Sequence, residues 1–162
     1  RPRAATRKRC VAVFGPGQRP GLFITSIIER MIRDAPRGVP IGHGNLDNRR
    51  NFIYIDDLVD ALRIVAERRY DIIGETINVS SYFVRMHDLL SMLRTLAERR
   101  LGVTMHTMFD ARFARPTGME LPPYYIDTAK ASRVLGWQPT LTFEDALART
   151  FDAARGPCSL DR

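Results

Sequence analysis

Residues 10–14, Cys-Val-Ala-Val-Phe, are apolar at every position and stop abruptly at Gly15-Pro16-Gly17. A short apolar run without polar alternation reads as a strand covered on both faces, as in a parallel sheet. Such a sheet needs helices as crossovers, and the following residues supply them. Between residues 22 and 33, apolar side chains at 23, 24, 27, 28, 31 and 32 follow helical spacing, and Pro36 and Gly38 close the element. Residues 39–41 read as a short extended piece. Phe52-Ile-Tyr-Ile55 has the β-branched and aromatic character of a strand. Asp56-Asp57 is expected to cap a helix whose apolar face is Leu58, Val59, Leu62, Val65 and Ala66.

The second half continues the alternation less regularly. Residues 76–79 read as a strand, 86–101 as a helix ended by Gly102, and 104–109 as a strand. The stretch 110–126 holds three prolines and no regular period, which predicts a long loop. Asp127 is placed to cap a short helix closed by Gly136. Thr142-Phe-Glu-Asp145 resembles a capping box opening a last amphipathic helix through about Arg155. Strands alternating with helices predict an α/β protein. The later, looser part reads as a subdomain attached to a sheet whose other strands lie outside these residues.

Composition narrows the class. With 162 residues, 44% of them hydrophobic and 27% charged, the chain is neither disordered nor collagen-like. No window approaches the roughly 20 apolar residues of a membrane helix. The net charge of +7 is concentrated: Arg1, Arg3, Arg7, Lys8 and Arg9 carry five positive charges, which leaves +2 for residues 10–162. A basic tail can hold phosphate backbones without sequence preference, but a solvated terminus explains it as well, and no nucleic-acid partner is expected. Cys10 and Cys158 make no metal-type spacing, and His43, His87 and His106 are scattered, so no metal site is expected. The cysteine usage fits a cytoplasmic location.

Five blocks occur in order: Val13-Phe-Gly-Pro-Gly-Gln18, Arg50-Asn-Phe-Ile-Tyr-Ile-Asp-Asp57, Ile77-Asn78, Asp127-Thr-Ala-Lys130 and Leu135-Gly-Trp-Gln-Pro139. Over residues 10–155 the chain resembles the C-terminal half of the NAD-dependent epimerase/dehydratase family, the extended short-chain dehydrogenases/reductases acting on nucleotide sugars. The resemblance implies the last strands of a Rossmann-type doubly wound sheet plus a small mixed α/β substrate-binding subdomain, with 1–9 and 156–162 as tails. It implies a nucleotide-sugar substrate, NAD(P) as cofactor and a homodimer in the full-length enzyme. By the same resemblance, Arg50 meets the substrate pyrophosphate, suited by a planar fork of donors. Arg115 is the matching second arginine, with Arg112 competing for that role. Leu22 and Ile41 fall where the family packs the nucleotide base, although core packing explains them equally. Phe14, Gly15 and Pro16 fall at the strand end that meets the cofactor. Asp56, Asp57, Asn78 and Trp137 match as structural positions. Two departures stand out: Ala12 replaces a substrate-contacting Asn, and Asn51 replaces an Asp.

The absences matter equally. The family's Gly-x-x-Gly-x-x-Gly turn and its catalytic Tyr-x-x-x-Lys do not occur in this sequence. No catalytic residue is therefore assigned. The expectation is the substrate-binding portion of such an enzyme, missing its cofactor-binding half, inactive alone and prone to self-association. The alternative is a non-catalytic relative that binds a nucleotide sugar.

Overall fold

The computed structural model describes residues 7–68, 72–115 and 122–156. In chain order it contains β1 (Arg7–Cys10), β2 (Ala12–Phe14), α1 (Phe23–Asp34), β3 (Ile41–His43), β4 (Arg49–Tyr54) and α2 (Ile55–Glu67). These are followed by β5 (Thr76–Val79), β6 (Tyr82–Arg85), α3 (Met86–Leu101), β7 (Thr107–Phe109) and α4 (Phe143–Arg155). Single 3-10 turns occupy Ala35–Arg37 and Ala111–Phe113, and a wide helical turn spans Ala131–Leu135.

The strands form three small sheets. β1 pairs in parallel with β5, and β3 in parallel with β7. The third sheet runs β2-β4-β6, its first pair parallel and its second antiparallel. The protein is thus mixed α/β, as the alternation of elements predicts. The apolar run at 10–14 is not one strand, however. Its two ends join different sheets, Cys10 opposite Val79 and Ala12 opposite Phe52, so the chain crosses between sheets at Val11. Residues 7–9, expected in a tail, are the start of β1. β6, not among the strands expected above although Tyr82-Phe-Val84 has aromatic and β-branched character, is four residues long and runs straight into α3.

The central sheet is covered on both faces. Phe14, Phe52 and Tyr54 point into a core built with α1, α3 and α4, whereas Ile53 points into a second core with Ala61 and Val65 of α2, Ile77 and Trp137. In the first core Phe14 meets Phe143 edge-on at 5.8 Å, and Tyr82 lies 4.7 Å from Phe143. The Tyr82 hydroxyl donates to the Leu141 carbonyl at 3.0 Å, and burial pushes its pKa well up. Aromatic pairs of this kind add about 0.5–1.5 kcal/mol beyond area burial.

Asp57 departs from its expected role. α2 already begins at Ile55. The Asp57 carboxylate is 1% exposed and accepts from the Thr140 amide at 3.0 Å, the Thr140 hydroxyl at 2.8 Å and the Ser81 hydroxyl at 2.8 Å. Its own carbonyl accepts from the Trp137 indole at 3.1 Å. It is a tertiary cross-link, with the helix N-terminus favouring its charge. Asp56, by contrast, is exposed. The other caps follow expectation: Asp127 accepts from the Ala129 amide, Gly136 is left-handed at φ 68°, and Thr142 accepts from the Asp145 amide.

Surface ion pairs contribute a pH dependence. Arg100 donates to both oxygens of Asp152, joining α3 to α4, and this hydrogen bonding holds the Asp152 carboxyl below its ordinary range. A pKa depressed by folding gives stability that is complete above the unfolded value and lost as pH falls through the folded one. Arg100→Gln is therefore expected to flatten the fall in melting temperature below about pH 4, measured by circular dichroism. A slope equal to that of the unsubstituted chain would argue against the pair.

Candidate functional site

Alternation along β4 decides which side chains face the open cleft of the molecule. Arg50 and Phe52 line it, while Asn51 between them turns to the other side. Asn51 is 4% exposed, donates to the Tyr124 carbonyl at 2.6 Å and accepts from the Ile126 amide at 3.4 Å. The departure from Asp at this position thus gives an amide that matches both a backbone donor and a backbone acceptor. Arg49 also leaves the cleft, its guanidinium lying 5.7 Å from the Phe83 ring centroid.

The cleft has two lobes. The first, about 240 Å3, lies beside β2 and the start of α1 and includes Phe14, Gln18, Leu22, Asn45, Arg50 and Arg115. The second, about 580 Å3, is more polar and includes Ser26, Glu29, Arg30, Arg33, His43 and Arg115. Phe23, Gly44, Phe113 and Arg115 line both lobes, which therefore adjoin. Arg33 is paired with Asp34, but Arg50 and Arg115 on the first lobe and Arg30 and Arg115 on the second still favour an anionic ligand.

The predicted site residues divide. Arg50, Arg115, Leu22 and Phe14 come together around the first lobe. Ile41 does not: it is 1% exposed and packs in the core beneath β3. Phe14 is on the lining but only 1% exposed, and Gly15 and Pro16 are off it. Ala12 lines the first lobe, so the polar group missing there is missing from the cleft wall. Arg112 is occupied elsewhere. Its guanidinium and its amide donate to Asp110, at 2.6–3.1 Å, which raises the pKa of Arg112 and lowers that of Asp110. Of the two candidates, Arg115 is the one on the cleft.

The sequence reading missed Gln18 as an organiser and Arg30 altogether. Gln18 donates its amide to the Val13 carbonyl and accepts from the Thr25 hydroxyl at 2.6 Å, tying β2 to α1 at the floor of the first lobe. Arg30 donates to the Ser26 carbonyl at 3.1 Å and to the Gly42 carbonyl at 2.7 Å, and its guanidinium lies 4.0 Å from the Phe113 ring centroid. Burial pulls its pKa down from the ordinary arginine value. Nothing in a helical stripe distinguishes such an arginine from a solvated one.

Gly15 and Pro16, expected on the cofactor side, form the turn that leaves β2. A Cβ at Gly15 would meet Ile55 Cγ2 at 2.4 Å, so the bare backbone here permits α2 to pack, while Gly17 beside it faces open space. Among the described residues no three His, Cys, Asp or Glu side chains gather as metal ligands, and no helix is long and apolar enough to cross a membrane.

Residues 3–150 match the family described as GDP-mannose 4,6 dehydratase. The match starts within the basic segment expected to lie outside the resemblance. No curated protein matches the chain. The fold is similar to that of UDP-glucuronic acid 4-epimerase from Bacillus cereus, solved in complex with UDP-glucuronic acid and NAD. Identity is 29% and the TM-score 0.74, over 91% of this chain and 44% of that one. UDP-glucose 4-epimerase from Thermotoga maritima, solved with UDP-glucose, shares the fold at 24% identity and TM-score 0.76, over 93% and 45% of the two chains. RMD from Pseudomonas aeruginosa, complexed with NADPH, does so at 21% identity and TM-score 0.77, over 92% and 48%. The chain spans less than half the length of these structures.

Proposed function

From the premise that the chain belongs to the GDP-mannose 4,6 dehydratase family, we propose that it forms the nucleotide-sugar-holding part of an NAD(P)-dependent epimerase or dehydratase. The observation that carries this reading is the two-lobed cleft with Arg115 lining both lobes and Arg50 in the first. A pyrophosphate at the junction would place one end of the ligand in each lobe. Arg50, held on a strand, and Arg115, on the loop after β7, would take its oxygens from two directions by charge-assisted hydrogen bonds. Leu22, 56% exposed at the cleft edge, offers apolar surface to a base or sugar face. Solved relatives hold UDP-glucuronic acid and NAD in one case and NADPH in another, which supports NAD(P) here.

When bound, NAD(P) supplies hydride acceptance and return at the sugar. The residues of this chain bind and orient the substrate. With neither Tyr-x-x-x-Lys nor the glycine-rich turn in the sequence, no proton or hydride step falls to any of them. The chain by itself is accordingly expected to bind without turnover. A non-catalytic nucleotide-sugar binder is the second reading, favoured by the same missing Tyr-Lys pair. A homodimer and a cytoplasmic setting belong to the proposal for the full enzyme.

Calorimetric titration with GDP-mannose, UDP-glucose and UDP-glucuronic acid tests the site. Arg50→Ala is expected to weaken binding by about 10- to 100-fold, the worth of a hydrogen bond to a charged group at about 1.5–3 kcal/mol. Arg112→Ala is expected to leave affinity unchanged. Absence of heat with all three ligands from a folded chain would defeat the proposal. Consumption of any of them with added NAD would refute the inactivity of the isolated chain.

A further inference from the structure

We propose that Arg30 is a positioning residue for Arg115: by stacking on Phe113 it fixes the loop that carries the cleft's shared arginine. The proposal rests on the reading of the cleft given above. Arg30 sits on α1, two turns into the helix, and its side chain reaches three places at once. Its Nε donates to the Ser26 carbonyl on α1, its Nη1 donates to the Gly42 carbonyl on β3, and its guanidinium plane covers Phe113 at 4.0 Å. Only a planar, delocalised cation can donate hydrogen bonds in its plane while presenting its face to a ring. A lysine ammonium could keep the charge but not this combination.

The rest of the Phe113 seat is made by absent side chains. A Cβ at Gly42 would lie 2.9 Å from Phe113 Cε2, and one at Gly44 would lie 2.2 Å from the Phe113 carbonyl oxygen. Phe113 therefore lies in a slot with bare β3 backbone on one side and Arg30 on another. Arg115 follows two residues later, too near for its backbone to wander if Phe113 is held. Arg112 does not substitute for Arg30, since it lies 5.9 Å from the same ring and is tied to Asp110. The preceding segment has separate support: β7 pairs with β3, and the Asp110 amide donates to the His43 carbonyl at 2.8 Å. Loss of Arg30 should thus loosen residues 111–115 and leave the fold intact.

Two measurements on the whole chain test this. The first uses no ligand. The Phe113 and Ala114 amides, bonded to the Asp110 and Ala111 carbonyls, report the loop by hydrogen exchange. Arg30→Ala and Arg30→Lys are both expected to speed their exchange about tenfold while β7 amides stay protected. The second is a double-mutant cycle read by calorimetry with GDP-mannose and UDP-glucose. Arg30→Ala is expected to weaken binding about tenfold in the parent chain and to have no further effect once Arg115 is alanine. Phe113→Leu, which removes the ring that Arg30 covers, should match Arg30→Ala in hydrogen exchange.

Unchanged exchange overturns the proposal. Additive losses in the cycle also overturn it, because Arg30 would then touch the ligand itself. Restoration of affinity and protection by Arg30→Lys would show that charge alone matters, and overturns it too. If the parent chain binds neither nucleotide sugar, the reading of the cleft fails, and the exchange result still decides whether Arg30 holds the loop.

Discussion

Asp57→Ala is expected to lower the stability of the chain by about 3 kcal/mol, the cost of stranding buried donors that served a charged acceptor. Three donors lose their partner together: the Thr140 amide, the Thr140 hydroxyl and the Ser81 hydroxyl. Alanine leaves a gap at a position only 1% exposed, so water cannot readily take over those bonds. The strand turn at Ser81 and the backbone at Thr140 would both lose their tie to the side chain at 57, while the Trp137 indole keeps its bond to the backbone carbonyl there. Asp57→Asn should cost less, about 1 kcal/mol, since one amide oxygen can still serve Thr140 and the amide group can donate to the Ser81 hydroxyl. Urea denaturation followed by circular dichroism measures both variants. A loss below about 1 kcal/mol for alanine, with an unchanged denaturant slope, would mean that the cross-link carries little of the fold.

Gly44→Ala is the second large effect, and it should appear in binding as well as stability. The added Cβ would lie 2.2 Å from the Phe113 carbonyl oxygen, 2.7 Å from the Phe113 carbonyl carbon and 2.8 Å from Ala114 Cα. All three are backbone atoms, which no rotamer change can move aside. Either β3 or the 111–115 loop must shift, at about 1–3 kcal/mol for overpacking. Because the loop is the weaker partner, Arg115 should move with it, weakening nucleotide-sugar binding by at least about tenfold. Gly42→Ala should have a smaller effect, because its nearest contacts are side-chain atoms of Phe113 and Asp110 at 2.9 and 3.1 Å, which can give way more readily than backbone. If Gly44→Ala binds like the parent, the loop does not set the cleft.

Local signals in the sequence suffice where the physics is local. The helix at 86–101 ends at a left-handed Gly102, and Thr142 opens α4 with the expected side-chain bond. Arg50 is assigned by the family resemblance, and its place on β4 carries it to the cleft wall. What failed was everything decided by distant partners. A five-residue apolar run looks the same whether it serves one sheet or two, so the crossing at Val11 was hidden. An aspartate in the first turn of a helix gives the same signal as a cap or as a tertiary anchor, and only Thr140 and Ser81 distinguish them for Asp57. Ile41 suited either core or cleft by its chemistry, and the packing beneath β3 put it in the core. The choice between Arg112 and Arg115 turned on Asp110, whose carboxylate claims the nearer arginine.

The strand pairing described above also sets a tempo. β1 meets β5 and β3 meets β7 in parallel, and parallel neighbours cannot be joined by a tight turn. Each pairing must close a long loop before any ladder energy is returned, so this chain is expected to fold in milliseconds to seconds, well behind a helical bundle of its size. The bonds from Asp57 to Thr140, 83 positions apart, join the last helix-bearing segment to the first half and should form after the rate-limiting step. Asp57→Asn should then speed unfolding in stopped-flow experiments and leave the folding limb nearly unmoved. In this fold the buried carboxylate acts as a latch on the way out, governing how long the assembled chain persists.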